Sequence, residues 1–474
     1  MSHASTGGVG HQDGGANLAH VTMIAAAAAM GGFLFGYDSA VINGAVDAIQ
    51  ERFHVGPGVL GFTIAAALLG CVVGAGTAGN IADRLGRIRV MQIAGVLFAI
   101  SAIGSALPFS VWDLTVWRIV GGVAIGMASV IAPTYIAEVS PAAYRGRLAS
   151  LQQLAIVLGI AASQLVNYAI AAGAGGSAHN AIGPIQAWQW MLAVEVLPAL
   201  IYLGLSLVIP ESPRYLVRVG KTDQARKILA EVEGGGDERV DGRINEIREA
   251  LGSEVRPKLR DLTGRYGLLP IVWIGMAVSA FQQLVGINVI FYYSSSLWQS
   301  VGVAESDSLL LSLFTSIVNI VGTVIAIMLV DKIGRKPLLL TGSAGMTVAL
   351  AGAAFAFSNA RVEGDEVTLA FGWAATALVA ASSFVLFFAL SWGVVVWVLL
   401  GEMFPLRIRA AAMGVATATQ WLANWLVTVS FPSLRDWNLS GAYLMYAAFA
   451  LISFFLVLRF VKETKGKTLE EMQG

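Results

Sequence analysis

Charge is the first thing this chain is short of. Only 13% of its 474 residues are charged, against about a quarter in ordinary soluble proteins, while 56% are apolar and the mean hydropathy is +0.71. Thirty basic and thirty acidic residues cancel, so there is no basic excess to attract nucleic acid or another polyanion. Cysteine is scarcer still. The one thiol, Cys71, lies in an apolar run without a partner, which excludes a disulfide framework and a cysteine-based metal site and leaves packing as its role. There is no His-rich metal set, no nucleophile with a base nearby and no phosphate loop. The tempting "GKT" at 466–468 has Val461 where the first glycine belongs. The chain reads as neither an enzyme nor an ATP-driven pump, and it implies no cofactor. Residues 1–20 also lack the Lys or Arg of a signal-peptide n-region, so 1–21 reads as a disordered cytoplasmic tail.

What the chain has is long apolar runs. Twelve are of about the 20 residues that cross a bilayer as helices: 22–44, 59–79, 88–107, 113–133, 148–171, 188–209, 269–298, 309–330, 337–357, 370–401, 410–431 and 440–461. An even number of crossings puts both termini on one side. Every loop Lys and Arg except Arg52, Arg361 and Arg435 falls on that same side, which the positive-inside tendency makes the cytoplasm of a multi-pass cell-membrane protein. The expected fold is an all-α membrane protein with six-helix bundles at 22–209 and 269–461, a helical cytoplasmic linker at 210–268 and a short tail at 462–474. In that linker, "KTDQARKILAEVEGG" and "DGRINEIREALG" carry apolar residues at helical spacing, predicting two short amphipathic helices.

The two halves echo one another. "DRLGRIRV" at 83–90 recurs as "DKIGRKPL" at 331–338, "EVSPAAYRGR" at 138–147 as "EMFPLRIRAA" at 402–411, and "PESPR" at 210–214 more loosely as "VKETKG" at 461–466. Matched signals in one order point to a six-plus-six duplication, which places a substrate site near the midplane and works by rocking one half against the other. With "PESPRYL", "QQLVGINVIFYYS" at 282–294 and "KETKG", the chain resembles the major facilitator superfamily and, within it, the sugar porter family. The resemblance runs from Asn17 to the C-terminus and is nearest to the bacterial proton-coupled glucose permeases.

The repeated loop charges suggest a gate. Asp83, Glu138, Asp331 and Glu402 stand beside Arg87, Arg145, Arg335 and Arg409 at the cytoplasmic ends of spans. Pairs across the halves would hold an inner gate shut, and at about 0–1 kcal/mol each they would part readily. The alternative is that they are topology signals and interface anchors.

Deeper in the membrane only three charged side chains remain: Asp38 in "GGFLFGYDSAVINGAV", Arg118 in "LTVWRIVGG" and Glu195 in "MLAVEVLPA". A lone charge at mid-bilayer costs about 2.5–3.5 kcal/mol even on the lenient scale. Counting residues from the span ends at about 1.5 Å each puts all three on the order of 10 Å below the outer surface, so they are expected to meet. Arginine keeps its proton, so the titrating member is an acid. Asp38 is expected to alternate between an Arg118-paired, deprotonated state and an exposed, protonated one, with Glu195 competing for Arg118. The resemblance implies the same, since proton-coupled sugar porters carry an Asp at this position. A static buried ion pair is the alternative.

The other unusual intramembrane groups are neutral amides and indoles, including Gln164, Asn167, Asn424 and Trp425. An amide both donates and accepts, which matches a ligand rich in hydroxyls, and indole faces suit the apolar faces of a pyranose. A charged substrate would call for a further buried charge. The sugar porter resemblance implies sugar contacts at Gln153, Gln282, Gln283, Asn288, Asn319, Trp397, Gln420 and Trp421, with Phe33 near the pocket; Tyr292 and Tyr293 would close its outer side. One departure is "SWGVVVW" at 391–397, where the family often has proline at the position of Val394. Any break in that helix is then expected to depend on Gly393.

The leading reading is a proton-coupled importer of a hexose, glucose first, working as a monomer with a monosaccharide, a proton and the bilayer as its partners. The alternatives are a facilitative uniporter with a structural Asp38–Arg118 pair, an importer of xylose or galactose, and a sugar sensor, which usually has a longer tail after the last span.

Overall fold

The computed structural model describes residues 18–141, 145–233, 237–252, 259–264, 267–363, 366–405 and 407–465. The tail expected at 1–21 falls almost wholly outside these residues, as does most of the tail from 462. The first half contains α1 (Leu18–Val41), α2 (Val46–Phe53), α3 (Pro57–Leu85), α4 (Arg87–Ala106), α5 (Val111–Val139), α6 (Arg145–Gly173), α7 (Ala187–Ala193) and α8 (Val196–Val208). The linker holds α9 (Pro213–Arg218), α10 (Thr222–Glu233) and α11 (Asp237–Gly252). The second half has α12 (Pro270–Leu284), α13 (Ile287–Gln299), α14 (Glu305–Ile333), α15 (Arg335–Ser358), α16 (Phe371–Leu390), α17 (Trp392–Met403) and α18 (Arg409–Phe460). Helix starts follow local chemistry. Pro57 and Pro270 open α3 and α12, where their missing N–H costs nothing, and the Ser110 hydroxyl caps α5 by accepting from Asp113 N.

Among the described residues, eleven apolar helical rods are long enough to cross a membrane. The last, Ala411–Phe460, has 50 residues, a rod of about 75 Å if straight, more than twice a bilayer core. It loses helical geometry at Asn438 (φ −166°, ψ 97°), so it supplies two crossings and brings the total to the expected twelve.

Four of the crossings are broken. α1 passes into a single 3-10 turn at Ile42–Gly44; α7 and α8 part at Val194 and Glu195; α12 and α13 part at Val285 and Gly286; α16 and α17 part at Ser391. Gly286 has φ +86°, a left-handed conformation that L residues with a Cβ rarely adopt. In the α16–α17 span the break was expected at Gly393. It falls two residues earlier, at Ser391 (φ −135°, ψ −88°), where the Ser391 hydroxyl donates to Phe387 O and Trp392 anchors the restart by donating its indole N–H to Leu339 O and Ser343 Oγ. Neither a proline nor the glycine makes the break.

Among the described residues the linker has three α-helices rather than two, because "SPRYLVR" also closes a turn: Ser212 caps α9 and Pro213 opens it. Leu216 and Val217 of α9 pack with Ala225, Leu229, Val240 and Ile244 in a small core that buries the apolar stripes of α10 and α11. Within the membrane part, one apolar core is shared by both halves at the end far from the linker, joining Val41, Ile42 and Trp188 to Tyr293, Leu297 and Trp298.

Candidate functional site

The three intramembrane charges meet. Arg118 Nη1 donates to Asp38 Oδ1 at 2.6 Å, and both side chains are almost wholly buried, at 5% and 2% exposure. Glu195, at the break between α7 and α8, is also buried and lies within hydrogen-bonding reach of Asp38. Asp38 Oδ2 and Glu195 Oε1 each lack a donor. Two carboxyl groups within hydrogen-bonding reach of each other are short of one hydrogen between them, and a proton on either acid supplies it. Sequence reasoning missed the residue that makes room for the pair. A Cβ on Gly121, one turn along α5 from Arg118, would stand 2.7 Å from Asp38 Oδ2 and 2.6 Å from Ser101 Oγ.

The breaks place the amides. Where α12 stops, Gln282 and Gln283 point inward; where α13 begins, Asn288 turns back and donates to Gln283 Oε1 at 2.6 Å. Gln283 leans on Gln282 Oε1, and Gln282 Nε2 donates to Trp392 O at 2.8 Å, the first carbonyl after the α16–α17 break. Two interrupted helices are thus tied through one amide chain. Asn319 on α14 and Gln420 and Trp421 on α18 are buried, and Gln420 Oε1 has no donor. Gln153 is half-buried, and Trp397 is 37% exposed. Phe33 stacks on Tyr37 at 6.1 Å, and Trp421 meets Phe35 at 5.8 Å. The Tyr293 hydroxyl donates to Thr428 O at 2.8 Å. Two of the other amides bond to the last turn of α1 instead: Gln164 Nε2 donates to Ala40 O and Asn167 Nδ2 to Val41 O.

At the linker end the two halves build the same device twice. Arg87 forks onto Glu138, with Nε and Nη2 each 2.9 Å from a carboxylate oxygen, and Nη1 closes on Ala82 O. Arg335 forks onto Glu402 at 2.9 and 2.6 Å, and its Nη1 closes on Val330 O. The Ser212 hydroxyl joins Glu138 and the Thr464 hydroxyl joins Glu402. Glu211 accepts from the backbone N–H groups of Arg87 and Ile88, and Glu463 does so from Arg335 and Lys336. Burial raises the Glu211 carboxyl; burial also acts on Glu463, but four backbone donors outweigh it and hold that carboxyl below its ordinary value. The loose echo between "PESPR" and "VKETKG" is therefore structural.

The gate pairs expected across the halves run within each half. Arg87 and Arg335 each open a helix beside the end of a neighbouring helix of the same half, where Glu138 and Glu402 lie within reach. Asp83 pairs with Arg87 and Arg218, Asp331 with Arg335, and Arg409 donates to its own helix entry at Phe404 O. The Arg145 side chain lies outside the described set.

A profile of the family described as "Sugar (and other) transporter" matches residues 24–474. The chain is 54% identical over 460 residues to a glucose transport protein of Synechocystis sp., covering 96% of this chain and 98% of that one. It is 37% identical over 492 residues to a D-xylose-proton symporter of Escherichia coli, covering 97% and 96%. The chain belongs to the sugar transporter family. Among solved structures, the E. coli xylose transporter in an inward-open conformation superposes with a TM-score of 0.80 at 35% identity, over 96% of this chain and 99% of that one.

In this sugar transporter the two halves are joined at the end far from the linker. Bonds between the halves cluster there. Asn43, in the turn after α1, donates to Ser312 Oγ at 3.2 Å and accepts from Ser295 N at 2.9 Å. Ser296 Oγ and Gln299 Nε2 both donate to Asp47 of α2, at 2.7 and 3.0 Å, and Gln164 Nε2 reaches Phe291 O. In the loop between α6 and α7, Ala178 N donates to Glu305 at 2.7 Å, and His179 lies between Glu305 and Glu51. Asn43 was not foreseen. Its only sequence signal is an amide directly before a glycine at the end of an apolar run.

Proposed function

We propose that the protein is a proton-coupled sugar importer of the cell membrane, with both termini in the cytoplasm, glucose as its first substrate and Asp38 as the group that carries the proton. The observation that supports this reading is the buried set of Asp38, Arg118 and Glu195, which holds two acids against one cation and leaves an oxygen on each acid without a donor. Release of Arg118 from Asp38 leaves an unpaired buried carboxylate, which takes a proton rather than stay charged. One charge moving through 100 mV is worth about 2.3 kcal/mol, roughly a fifty-fold accumulation of a neutral solute.

The sugar is assigned to the chain of amides from Gln282 and Gln283 to Asn288, with Gln153, Asn319, Gln420 and the indoles Trp397 and Trp421 around it, and Phe33 at its edge. Glucose is favoured because the Synechocystis relative is a glucose transport protein, while the xylose and arabinose symporters are more distant in sequence. The linker-end clamps at Arg87 and Arg335 would fix each half as a unit while the halves part and close, and the protein would work as a monomer.

The test uses sealed vesicles, an external pH dye and counterflow of labelled sugar. Glucose added to the wild type is expected to alkalinise the outside, and Asp38→Asn to keep exchanging sugar while moving no protons. Sugar exchange by the wild type with no pH change would make the protein a uniporter and Asp38 a structural partner of Arg118. Xylose working better than glucose would correct the substrate alone.

A further inference from the structure

Not every loop arginine is engaged in a clamp. Arg87 is fully occupied, but its neighbours Arg84, on the last turn of α3, and Arg89, on the first turn of α4, are exposed and pair with no carboxylate among the described residues. Asp83, the nearest acid in sequence, is taken by Arg87 and Arg218. The two arginines flank a cleft of about 600 Å³ whose third polar edge is Tyr215 of α9, held there by donating its hydroxyl to Arg84 O. Gln92 adds one more polar side chain, and the rest of the wall is apolar, made of Leu85, Ile93, Val96 and Leu97. From it an exposed apolar stripe runs on along α4, through Val96, Ile100 and Ile103. They lie exposed on a helix long and apolar enough to cross a bilayer, the surface a lipid chain would cover.

The duplicated half does not repeat this arrangement. Lys332 and Pro337 stand where Arg84 and Arg89 stand, Lys336 donates its ammonium to Leu458 O, and Lys465 covers Lys332 O. The fold needs one clamp per half, and both halves have it; the guanidinium groups of Arg84 and Arg89, which pair with no carboxylate among the described residues, belong to neither.

We propose that this cleft binds one anionic phospholipid, its phosphate diester between Arg84 and Arg89 and one acyl chain along Ile93, Val96 and Ile100. Guanidinium forks match phosphate oxygens, and basic pockets at the membrane boundary favour anionic headgroups. A lipid rather than a soluble phosphate fits because the polar mouth opens directly onto a surface that water does not reach. A zwitterionic lipid fills the groove but brings no net charge to two uncompensated cations.

The full chain, purified in neutral detergent, is titrated with phosphatidylglycerol, phosphatidylcholine or glycerol phosphate, and retained lipid is counted by native mass spectrometry alongside the melting temperature. The wild type is expected to keep one phosphatidylglycerol and to melt higher with it than with phosphatidylcholine. Arg84→Gln/Arg89→Gln should weaken that retention on the order of tenfold or more, since each basic group near such a headgroup counts several-fold. Lys332→Gln should leave it unchanged. Circular dichroism and monodisperse elution check that the double variant is folded. Should it not be, Val96→Trp, which fills the groove and keeps both arginines, is expected to lower retention and decides the matter. The proposal is overturned by equal retention of the two phospholipids, by a folded double variant or a Val96→Trp protein that holds phosphatidylglycerol like the wild type, or by displacement of the lipid by glycerol phosphate at matched concentration.

Discussion

Asp38 is tolerable in its span because three neighbours are fitted to it. Arg118 supplies the charge, Glu195 supplies or takes a hydrogen, and Gly121 supplies space. Gly121 is the cheapest of the three to perturb selectively. A methyl group at 2.7 Å from Asp38 Oδ2 must push the carboxylate off Arg118 or move α5. Gly121→Ala is therefore expected to cost about 1–3 kcal/mol of stability, as overpacking does, and to lower the protons moved per sugar more than it lowers sugar exchange. Paired measurements of vesicle pH and counterflow check this. The three charges were legible in the sequence because a charge in an apolar run stands out and its depth can be counted at a fixed rise per residue. Gly121 and Ser101 were not, because glycine and serine are ordinary in membrane helices and what matters is which atom lies opposite.

Among the elements, the crossings could be read from length and hydropathy, but their breaks could not. A helix interrupted at Glu195, Val285–Gly286 or Ser391 keeps the same apolar composition on both sides; at Gly286 the stop is one glycine's left-handed turn among many glycines, and at Ser391 the restart is anchored by a tertiary contact, Trp392 bonding to Leu339 O and Ser343. The break at Ser391 makes the missing proline testable. Val394 lies in the first turn of α17, where backbone N–H groups are beyond the reach of the usual helical acceptors and proline is best tolerated. Val394→Pro should change stability by less than about 1 kcal/mol and preserve glucose counterflow. A large loss of either, read by thermal unfolding and uptake, would mean that this turn needs its donor after all. The third linker helix, α9, escaped notice because six residues are too few to show a periodicity.

At the scale of the molecule, the far end is held by polar contacts that can respond to acid. His179 lies 3.7 Å from Glu305 of α14 through Nδ1 and 3.0 Å from Glu51 of α2 through Nε2, the latter out of line for a hydrogen bond and so an attraction of charge. Asp47 is the other acid facing it, and Arg435 lies beside Asp47 through Ser296. The contact with Glu305, against the opposing effect of burial, raises the imidazole above its ordinary value. A raised histidine contributes to closure fully below about pH 6.5, and that contribution fades as pH rises through the folded value. Opening of this end, followed by accessibility of a cysteine placed at Ser312 after Cys71→Ser, is expected to be slower at pH 6 than at pH 8. His179→Asn should flatten the difference without changing which sugar is taken. A pH dependence that survives in His179→Asn assigns it to Asp47 or to the coupling set instead.

The two clamps at the linker end have a consequence for how the protein is made. Arg87 with Glu138 and Ser212, and Arg335 with Glu402 and Thr464, each draw only on one half and the segment that directly follows it, and neither borrows a residue from the other half. Each half can therefore leave the ribosome, settle in the bilayer and neutralise its own charges before its partner exists. A gene cut between the codons for Glu233 and Asp237, its pieces translated as separate polypeptides, should still yield two halves that find each other in the membrane and restore glucose uptake, whereas a cut inside either half should not.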